Sequence, residues 1–415
     1  MRAIVTILCL AVVVLAVSAV RPAPTRCGGP EGVAAVPWVL DTVARGVERP
    51  WSVAVAPDGR IFFTERPGRL KVIDSVGAAP RLVVSVVDVA TNPDTMFMAG
   101  LLGLALDPGW PAEPYFYMYH TYQSDSLLLN RVVRYRAEGD SAVFDRVIVD
   151  QIPASTWQNG GRVAFGPDGK LYVPTGGNIG GPRLDTPSND SLQKRLGAAF
   201  ASRGDAQDVH SLVGKILRLN PDGSIPADNP FPGLSVFSYG HRHAQGLAWS
   251  PETGVLYDTE HGPPGGHDEV NRILPGQNYG WPLFKGMAPV VQMRGPLARV
   301  PRLWNVSPIA VFTPAIGPSG ASFYSGKLFP QWTHNLFVAT LAGQHLHRLA
   351  LRPDGQGIRC EERLLATEGF RMRSVTEGPD GAIYLSTTNT DQPSLTRSGD
   401  DMILRIVPAK GRQAN

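Results

Sequence analysis

The chain has 415 residues, of which 43% are hydrophobic and 18% charged, a balance that excludes intrinsic disorder and collagen-like structure and predicts a globular protein with a substantial core. Its 45 glycines and 37 prolines favour many short strands over long helical bundles. The net charge of +3 comes without a dense basic run, so we expect no nucleic-acid partner and instead a small or neutral one.

Residues 1–19 have the pattern of a secretory signal peptide. Arg2 is followed by an apolar run and then by the small residues Val17, Ser18 and Ala19, which suit a cleavage site. The alternative is an uncleaved anchor, because an apolar stretch of about 18 residues can just span a bilayer. We therefore expect an exported protein, periplasmic or extracellular, that associates with a membrane only if this segment is retained.

Cysteines are few in this chain. Cys9 lies inside the predicted signal, which leaves Cys27 and Cys360 in the mature protein. Nothing near either residue indicates a nucleophilic role. Two cysteines of an exported chain can pair, but the sequence leaves open whether these two form a disulfide or remain inert thiols.

A tight turn followed by a strand recurs along the chain. Strong copies begin at Ala56 (APDG, then RIFFTE), Gly166 (GPDG, then KLYVPT), Ser250 (SPETG, then VLYDTE) and Gly378 (GPDGA, then IYLSTT). Weaker copies are LALDPGW with YFYMYHTY, and KLFPQWTHN with LFVATL. Proline and Asp-Gly suit the turn, and β-branched and aromatic residues suit the strand. Six units of roughly 60 residues predict an all-β, six-bladed β-propeller.

A pair of β-sandwiches, or two unrelated all-β domains, is the alternative architecture. The repeats favour one closed domain, because no linker rich in proline and serine divides them. We assign the propeller to residues 35–408, after the signal at 1–19 and an exported lead at 20–34, with a tail at 409–415. A polar segment at 188–207 is predicted to be a partly helical insertion. Functional residues are expected on loops from several blades at one mouth of the central channel.

Six blocks of sequence follow one another in a characteristic order. They are PWSVAVAPDGRIFFTERPGRLKVI from Pro50, GLLGLALDP from Gly100, NGGRVAFGPDGKLYVPTGG from Asn159, GKILRLNPDGSIPADNPF from Gly214, GHRHAQGLAWSPETGVLYDTEHGPPGGHDEVNRILPGQNYGWP from Gly240 and RMRSVTEGPDGAIYL from Arg371. Together they resemble the glucose/sorbosone dehydrogenases, soluble quinoproteins that use pyrroloquinoline quinone (PQQ) and calcium. The resemblance implies a six-bladed propeller that oxidises an aldose sugar or a related alcohol at C1 and passes the electrons to a soluble acceptor.

PQQ is a planar tricarboxylate, so its site needs fixed cations. By resemblance, Arg242, Arg371 and Arg373 bind the cofactor. Strand alternation places Arg371 and Arg373 on one face, which suits a shared anionic target. From spacing alone, these two residues are equally well explained as a pair of surface arginines.

The stretch EHGPPGGHDEVNRILPGQNY, residues 260–279, combines a Gly-Pro turn with acidic and carbonyl groups of the kind that calcium prefers. By resemblance, the backbone carbonyls of Gly262 and Pro263 hold the cofactor calcium. Asp268, Glu269 and the carbonyl of Tyr279 hold a second calcium ion. The alternative is a tight turn with solvated acids.

The family's general base is a histidine, and this chain has Gln158 at that position. Glutamine cannot take up a proton, and Trp157 stands where an acidic residue would orient the base. His243 and His261 are the candidates to replace it. The family pattern also differs at Met98, where relatives often carry a polar residue. It differs again at His243, where asparagine is usual, and at Ala342, where a cofactor lysine is expected.

One alternative metal site and two alternative functions remain open. His241, His243, His261 and His267 cluster in the sequence, and a His-x-His pair on one strand face could bind zinc. A non-catalytic module could bind a carbohydrate or a protein, with Trp157 as a stacking platform for a sugar ring. A calcium-dependent lactone hydrolase is the third alternative, and it has no motif support.

Overall fold

The computed structural model describes residues 25–28, 35–92, 98–125, 127–177, 206–263, 265–289 and 305–409. The predicted signal or anchor, and all but the last two residues of the predicted insertion, lie outside these ranges. Over the described ranges the chain is nearly all β, and its helices there are three short 3-10 turns, Pro330–Trp332, Asn389–Asp391 and Pro393–Leu395. None of the described helices is long and apolar enough to cross a membrane.

Six antiparallel sheets form the blades of a β-propeller, which confirms the predicted fold. Blade 1 contains β3 (Pro50–Val55), β4 (Ile61–Glu65), β5 (Arg69–Ile73) and β6 (Arg81–Ser85). Blade 2 contains β7 (Leu101–Leu106), β8 (Tyr115–Ser124), β9 (Leu127–Glu138) and β10 (Ser141–Pro153). Blade 3 contains β11 (Ala164–Phe165), β12 (Leu171–Pro174), β13 (Lys215–Leu219) and β14 (Val236–Tyr239).

The second half of the chain repeats this arrangement. Blade 4 contains β15 (Ala244–Trp249), β16 (Leu256–Glu260), β17 (Asp268–Ile273) and β20 (Ala310–Phe312), with a separate hairpin of β18 (Phe284–Lys285) and β19 (Ala288–Pro289). Blade 5 contains β21 (Pro318–Phe323), β22 (Leu336–Thr340), β23 (Leu346–Leu351) and β24 (Ile358–Leu364), to which β1 (Thr25–Arg26) adds in parallel. Blade 6 contains β25 (Met372–Glu377), β26 (Ile383–Thr387), β27 (Met402–Pro408) and β2 (Trp38–Arg45).

The four strong turn phrases lie between the first and second strands of blades 1, 3, 4 and 6. Their glycines have positive φ angles, 89° at Gly59, 70° at Gly169, 67° at Gly254 and 84° at Gly381. This left-handed conformation is open to glycine at little cost, which is why the phrase recurs at these turns.

Both ends of the chain help to close the ring. Strand β2 pairs antiparallel with β27, from Trp38 opposite Pro408 to Arg45 opposite Met402, so blade 6 contains the start and the end of the propeller. A disulfide joins Cys27 to Cys360 on β24. The structure thereby settles the pairing that the sequence left open.

The core lies between neighbouring blades, whereas the first strand of each blade lines the central channel. Apolar side chains fill the interfaces, as Phe62, Trp110 and Phe116 do between blades 1 and 2. At one end of the channel, called here the upper mouth, the loops before the first strands meet the loops that join the second and third strands. The opposite end is the lower mouth.

Candidate active site

The three predicted cofactor arginines lie at the upper mouth. Arg242 lies in the loop between β14 and β15, Arg371 just before β25, and Arg373 on β25. Arg242 and Arg373 are 2% exposed, and Arg371 is half-buried. Burial lowers the pKa of Arg373 to about 10 and also lowers that of Arg371. The fold therefore brings arginines from separate blades into one poorly solvated region.

Asp391, in the loop between β26 and β27, is an anionic centre for this region. It forms ion pairs with Arg66 (2.6 Å), Arg373 (3.3 Å) and Arg49 (3.5 Å). Burial by itself would raise the pKa of Asp391, but the charges of Arg66 and Arg373 outweigh burial and hold that pKa below its usual value. One carboxylate is thus shared by several guanidinium groups.

Two guanidinium N–H groups in this region have no acceptor in the described part of the chain. They are the Nε groups of Arg371 and Arg373, both buried. A buried donor without a partner is costly, so these groups are satisfied best by an acceptor supplied from outside the chain. The donor set fits a planar ligand that carries several carboxylates.

Gln245, on β15, connects Arg373 to His243. Its Oε1 accepts hydrogen bonds from Nη1 of Arg373 (2.8 Å) and from Oγ of Ser319 (3.1 Å), and its Nε2 lies 2.8 Å from Nε2 of His243. The other ring nitrogen of His243 accepts a hydrogen bond from the backbone N–H of Gly160 (3.2 Å). Both ring nitrogens of His243 are therefore engaged.

His261 packs edge-to-face against His243, with 4.9 Å between ring centroids. Unlike His243, it has a buried Nε2 without a hydrogen-bond partner among the described residues. Burial, and then the charges of Arg373 and Arg242, lower the pKa of His261 to about 3, so its ring is neutral at pH 7. Of these two histidines, His261 is therefore the one whose Nε2 lone pair is unengaged among the described residues, although its lowered pKa makes the ring a weak base as long as the arginine charges are unbalanced.

The loop that carries Gln158 also reaches the upper mouth. The backbone N–H of Gln158 lies 3.4 Å from Sδ of Met98. Gly176 packs against this loop so closely that a Cβ there would overlap the carbonyl oxygen of Gln158. Trp157 is 41% exposed, and Ala342 is exposed in the loop between β22 and β23. The residues at which the family pattern differs thus lie on loops of the same mouth.

Blade 4 carries a buried acidic cluster beside this mouth. Glu260 lies directly opposite Glu269 on the paired strands β16 and β17, and Asp258 lies opposite Asn271. His241 Nδ1 is 3.0 Å from Glu260 and 3.4 Å from Asp258. Potential ligand atoms of His241, Asp258 and Glu260 all lie within 4.8 Å of one another, so these three residues form a possible metal-binding group. His241 also stacks on Tyr279, at 4.7 Å between ring centroids.

Two carboxyl groups of this cluster have raised pKa values. Burial is the larger cause, and the negative charge of Glu260 is the second. Together they raise the pKa of Glu269 to about 8 and raise that of Asp258 well above its usual value. The carboxylate of Asp258 is fully buried, and hydrogen bonds from Asn271 offset only part of this rise in its pKa. A divalent cation would compensate this concentration of acids.

Four of the five predicted metal residues line one small cavity, of about 10 Å³. They are Gly262, Pro263, Glu269 and Tyr279, and Glu260 lines it with them. Such a volume holds about one water molecule or a single ion. Asp268 is directed elsewhere: its carboxylate accepts backbone hydrogen bonds from Gly262 (2.8 Å), Ile316 (2.7 Å) and Gly317 (2.7 Å). It positions the Gly-Pro turn, whereas Glu269 faces Glu260.

The predicted histidine cluster separates into different environments. His241 belongs to the acidic cluster, and His243 belongs to the Gln245 network. His267 is half-buried in the turn before β17, with a φ of 67°, and its backbone N–H contacts Thr313. The His-x-His sequence of residues 241–243 therefore does not form one ligand pair.

Sequence reasoning missed Arg66, Asp391 and Glu260. An alignment of the turn repeats could have indicated Arg66 and Glu260, because RIFFTE ends at Glu65, just before Arg66, and VLYDTE ends at Glu260. Arg66 and His261 follow these glutamates and occupy equivalent places in blades 1 and 4. Asp391 has no such signal, since it contacts Arg66 only after the ring closes.

Comparisons with known proteins identify the family of this chain. The Glucose / Sorbosone dehydrogenase family matches residues 47–397. The chain belongs to this family. A quinoprotein glucose dehydrogenase B of Acinetobacter calcoaceticus is 32% identical over 84% of this chain and 84% of its own. A putative oxidoreductase (glucose dehydrogenase) of Thermus thermophilus is 39% identical, with a TM-score of 0.72, over 89% of this chain and all of its own.

A third similar protein has been solved in a PQQ-bound form. It is the PQQ-bound form of aldose sugar dehydrogenase from Streptomyces coelicolor, 31% identical with a TM-score of 0.70. The match covers 92% of this chain and 99% of that one. Similarity at this level over nearly the whole length supports a shared fold.

Proposed function

We propose that this protein is a PQQ- and calcium-dependent dehydrogenase that oxidises an aldose sugar or a related alcohol at C1. The observation that carries the proposal is the pair of buried, unsatisfied Nε donors on Arg371 and Arg373 beside a single shared carboxylate, Asp391. A planar tricarboxylate would satisfy these donors. The PQQ-bound relative from Streptomyces and the quinoprotein from Acinetobacter support the choice of ligand.

In this proposal Arg242, Arg371 and Arg373 hold the carboxylates of PQQ. Arg66 keeps Asp391 in place, so that Arg373 remains oriented toward the mouth. PQQ, when bound, supplies a two-electron acceptor for the sugar, and the electrons pass on to a soluble acceptor. Exclusion of water around the buried arginines strengthens each of these charge interactions.

Calcium would bind in the cavity lined by Gly262, Pro263, Glu260, Glu269 and Tyr279. Carboxylate and carbonyl oxygens are the ligands that this ion prefers. The sequence predicted Gly262 and Pro263 for a cofactor calcium, and Glu269 and Tyr279 for a second ion, and in this proposal both pairs converge on one cavity. Asp268 acts by positioning the turn rather than as a ligand.

His261 is the proposed general base. Oxidation at C1 removes a hydride equivalent from the carbon and a proton from its hydroxyl group, and Nε2 of His261 is free to accept that proton. His243 supports the ring of His261 from the side, since its own nitrogens are engaged. Gln158, which cannot act as a base, would hydrogen-bond the sugar hydroxyl, and Trp157 would contact the sugar ring.

We also propose that the protein works outside the cytoplasm. The signal-like segment at residues 1–19 supports export, and the Cys27–Cys360 disulfide is the kind of bond that persists in oxidising compartments. Fractionation of the native host, with the mature N-terminus sequenced, would test both export and cleavage. A full-length chain in the cytoplasm would contradict this localisation.

Dye reduction by the purified protein with PQQ, excess calcium and a panel of aldoses tests the activity. We expect turnover that requires PQQ and an aldose together. A folded protein that binds PQQ without turnover would contradict His261 as base. A folded protein that binds no PQQ would reject the dehydrogenase, and a glycan-binding screen would then test the binding-module alternative.

A further inference from the structure

Arg162 crosses the central channel below the proposed cofactor site. It precedes β11 in blade 3, and its Nε donates to the backbone carbonyl of Gln245 in blade 4 (2.9 Å). Its Nη1 donates to Oγ of Ser52 in blade 1 (3.1 Å), and its guanidinium carbon lies 4.3 Å from the ring centroid of Trp51. Gly320 in blade 5 packs so closely against Arg162 that a Cβ added to the glycine would lie 3.1 Å from Nη2. One guanidinium group thus connects four blades and forms a floor across the channel.

The charge of Arg162 is not balanced by the residues around it. The side chain is buried, with the residue 7% exposed, and its Nη2 has no acceptor in the described structure. No carboxylate of the described chain forms an ion pair with it, and the charged group that acts on it is Arg373, of the same sign. Burial, and then Arg373, lower the pKa of Arg162 to about 9. Arg66 and Arg373, by contrast, share Asp391. A buried charge without a counter-ion is costly.

A cavity of about 240 Å³ lies beneath this floor, toward the lower mouth. It is lined by the first strands of the blades, down to Val55 and Leu106 at their lower ends. Its polar side chains are Ser52, Ser374 and Thr376, and Arg162 is the charged residue among those described in its lining. The cavity has room for several water molecules, and it combines one uncompensated cation with neutral hydroxyl groups.

We propose that this cavity binds a small inorganic monovalent anion, such as chloride, beside the guanidinium group of Arg162, which lines the cavity and lacks a counter-ion among the described residues. A single negative charge balances the single guanidinium group, and neutral hydroxyl groups suit an ion of low charge density. A polyvalent anion would leave excess negative charge among apolar strand residues. The anion enters from the lower mouth, so this site is distinct from the sugar site and its occupancy does not depend on the proposed oxidation.

Bromide replaces chloride and is located directly by anomalous diffraction. Crystals of the wild-type protein grown in bromide are expected to show an anomalous peak inside this cavity, beside the guanidinium group of Arg162. A well-ordered wild-type structure with no peak in the cavity would overturn the proposal. This experiment needs no variant, so a folding defect cannot obscure it.

Thermal unfolding measures the same binding in solution. At constant ionic strength, replacing gluconate by chloride up to about 0.1 M should raise the melting temperature of the wild type by about 2 °C, with saturation. Arg162→Met should abolish this rise, and Arg136→Met, which removes an exposed arginine, should keep it. An equal rise in Arg162→Met would indicate a general salt effect and would refute the site. If Arg162→Met does not fold, Arg162→Lys should show a weaker rise, and an unchanged rise there would count against recognition by the guanidinium group.

Discussion

Glu260 and Glu269 lie directly opposite each other on β16 and β17, so that one buried and one half-buried glutamate share one face of a sheet. Their backbone neighbours partly compensate: Glu260 accepts hydrogen bonds from the N–H groups of Arg242 and His243, and Glu269 accepts one from Gly286 (2.6 Å). Like charges in such a place repel strongly. The pair is therefore best explained as part of a cation site.

Calcium should stabilise the protein through this pair. We expect a chelator to lower the melting temperature and added calcium to restore it, because a ligand that binds only the native state stabilises that state. Glu269→Gln should remove most of the calcium-dependent shift, whereas Glu138→Gln, a change at an exposed acid, should not. Differential scanning calorimetry with and without chelator makes the comparison. Equal calcium shifts in both variants would exclude Glu269 as a ligand.

The stability of the metal-free protein should fall as pH rises from about 5 to 8. Glu269 keeps its proton in the folded state up to a pKa of about 8, but loses it near 4.5 when unfolded. Between these values the folded state binds more protons, so the free energy of unfolding decreases with rising pH. Urea unfolding in chelator at several pH values measures the slope. Glu269→Gln should flatten the curve, and a flat wild-type curve would contradict the raised pKa.

Replacement of His261 should abolish turnover without loss of PQQ. We expect His261→Asn to lower kcat by about 100-fold or more, since general bases contribute about 10²- to 10⁴-fold. PQQ affinity should change little. His334→Asn, at a histidine whose side chain is 40% exposed, is the control. Stopped-flow reduction with saturating sugar and a separate PQQ titration distinguish a chemical defect from a binding defect. Unchanged kcat would eliminate His261 as the base.

Gln158→His provides the complementary test. A histidine restored at the family's base position should raise kcat if a better-placed base is all that this mouth lacks. The change should also introduce a new ionisation into the pH profile of kcat, near the ordinary histidine pKa of about 6.5. An unaltered rate and profile would show that Gln158 lies away from the reacting hydroxyl group.

Arg373 should determine much of the affinity for PQQ. Arg373→Met removes a buried donor, and a charge-assisted hydrogen bond of about 1.5–3 kcal/mol corresponds to a Kd weakened by roughly 10- to 150-fold. Arg146→Met, at an exposed arginine, should leave the Kd unchanged. Equilibrium dialysis against PQQ measures both. Retention of wild-type affinity in Arg373→Met would place the cofactor elsewhere.

The disulfide should stabilise the attachment of the N-terminus to blade 5. Cys360→Ser should lower the free energy of unfolding by about 2–4 kcal/mol. Cys27→Ser should have a similar effect, and the double variant should cost no more than either single one, because all three lose the same bond. Denaturant unfolding with and without reductant provides the measurement. Additive losses would show that the thiols stabilise the protein separately.

The propeller fold was predictable because its turns and strands depend on residues that are close together in the sequence. Turns such as 56–59 and 166–169 need Pro and Asp-Gly for their own backbone angles, and the strands after them need β-branched and aromatic residues. These requirements recur strongly in blades 1, 3, 4 and 6 and more weakly in blades 2 and 5, so the pattern survives in the sequence. The resemblance of the sequence blocks to the family predicted the arginines of the cofactor site, and the structure places those residues at the upper mouth.

Relationships between blades were not predictable in the same way. Asp391 meets Arg66, and Arg162 meets Ser52 and Gln245, only because the ring closes and brings distant loops within hydrogen-bond distance. Adjacent residues also have different surroundings that the sequence did not reveal, since Glu269 lies opposite Glu260 whereas Asp268 accepts backbone hydrogen bonds from Gly262 and Gly317. Local backbone chemistry is encoded residue by residue, whereas charge balance around a shared channel arises only when all six blades contribute side chains to one buried volume.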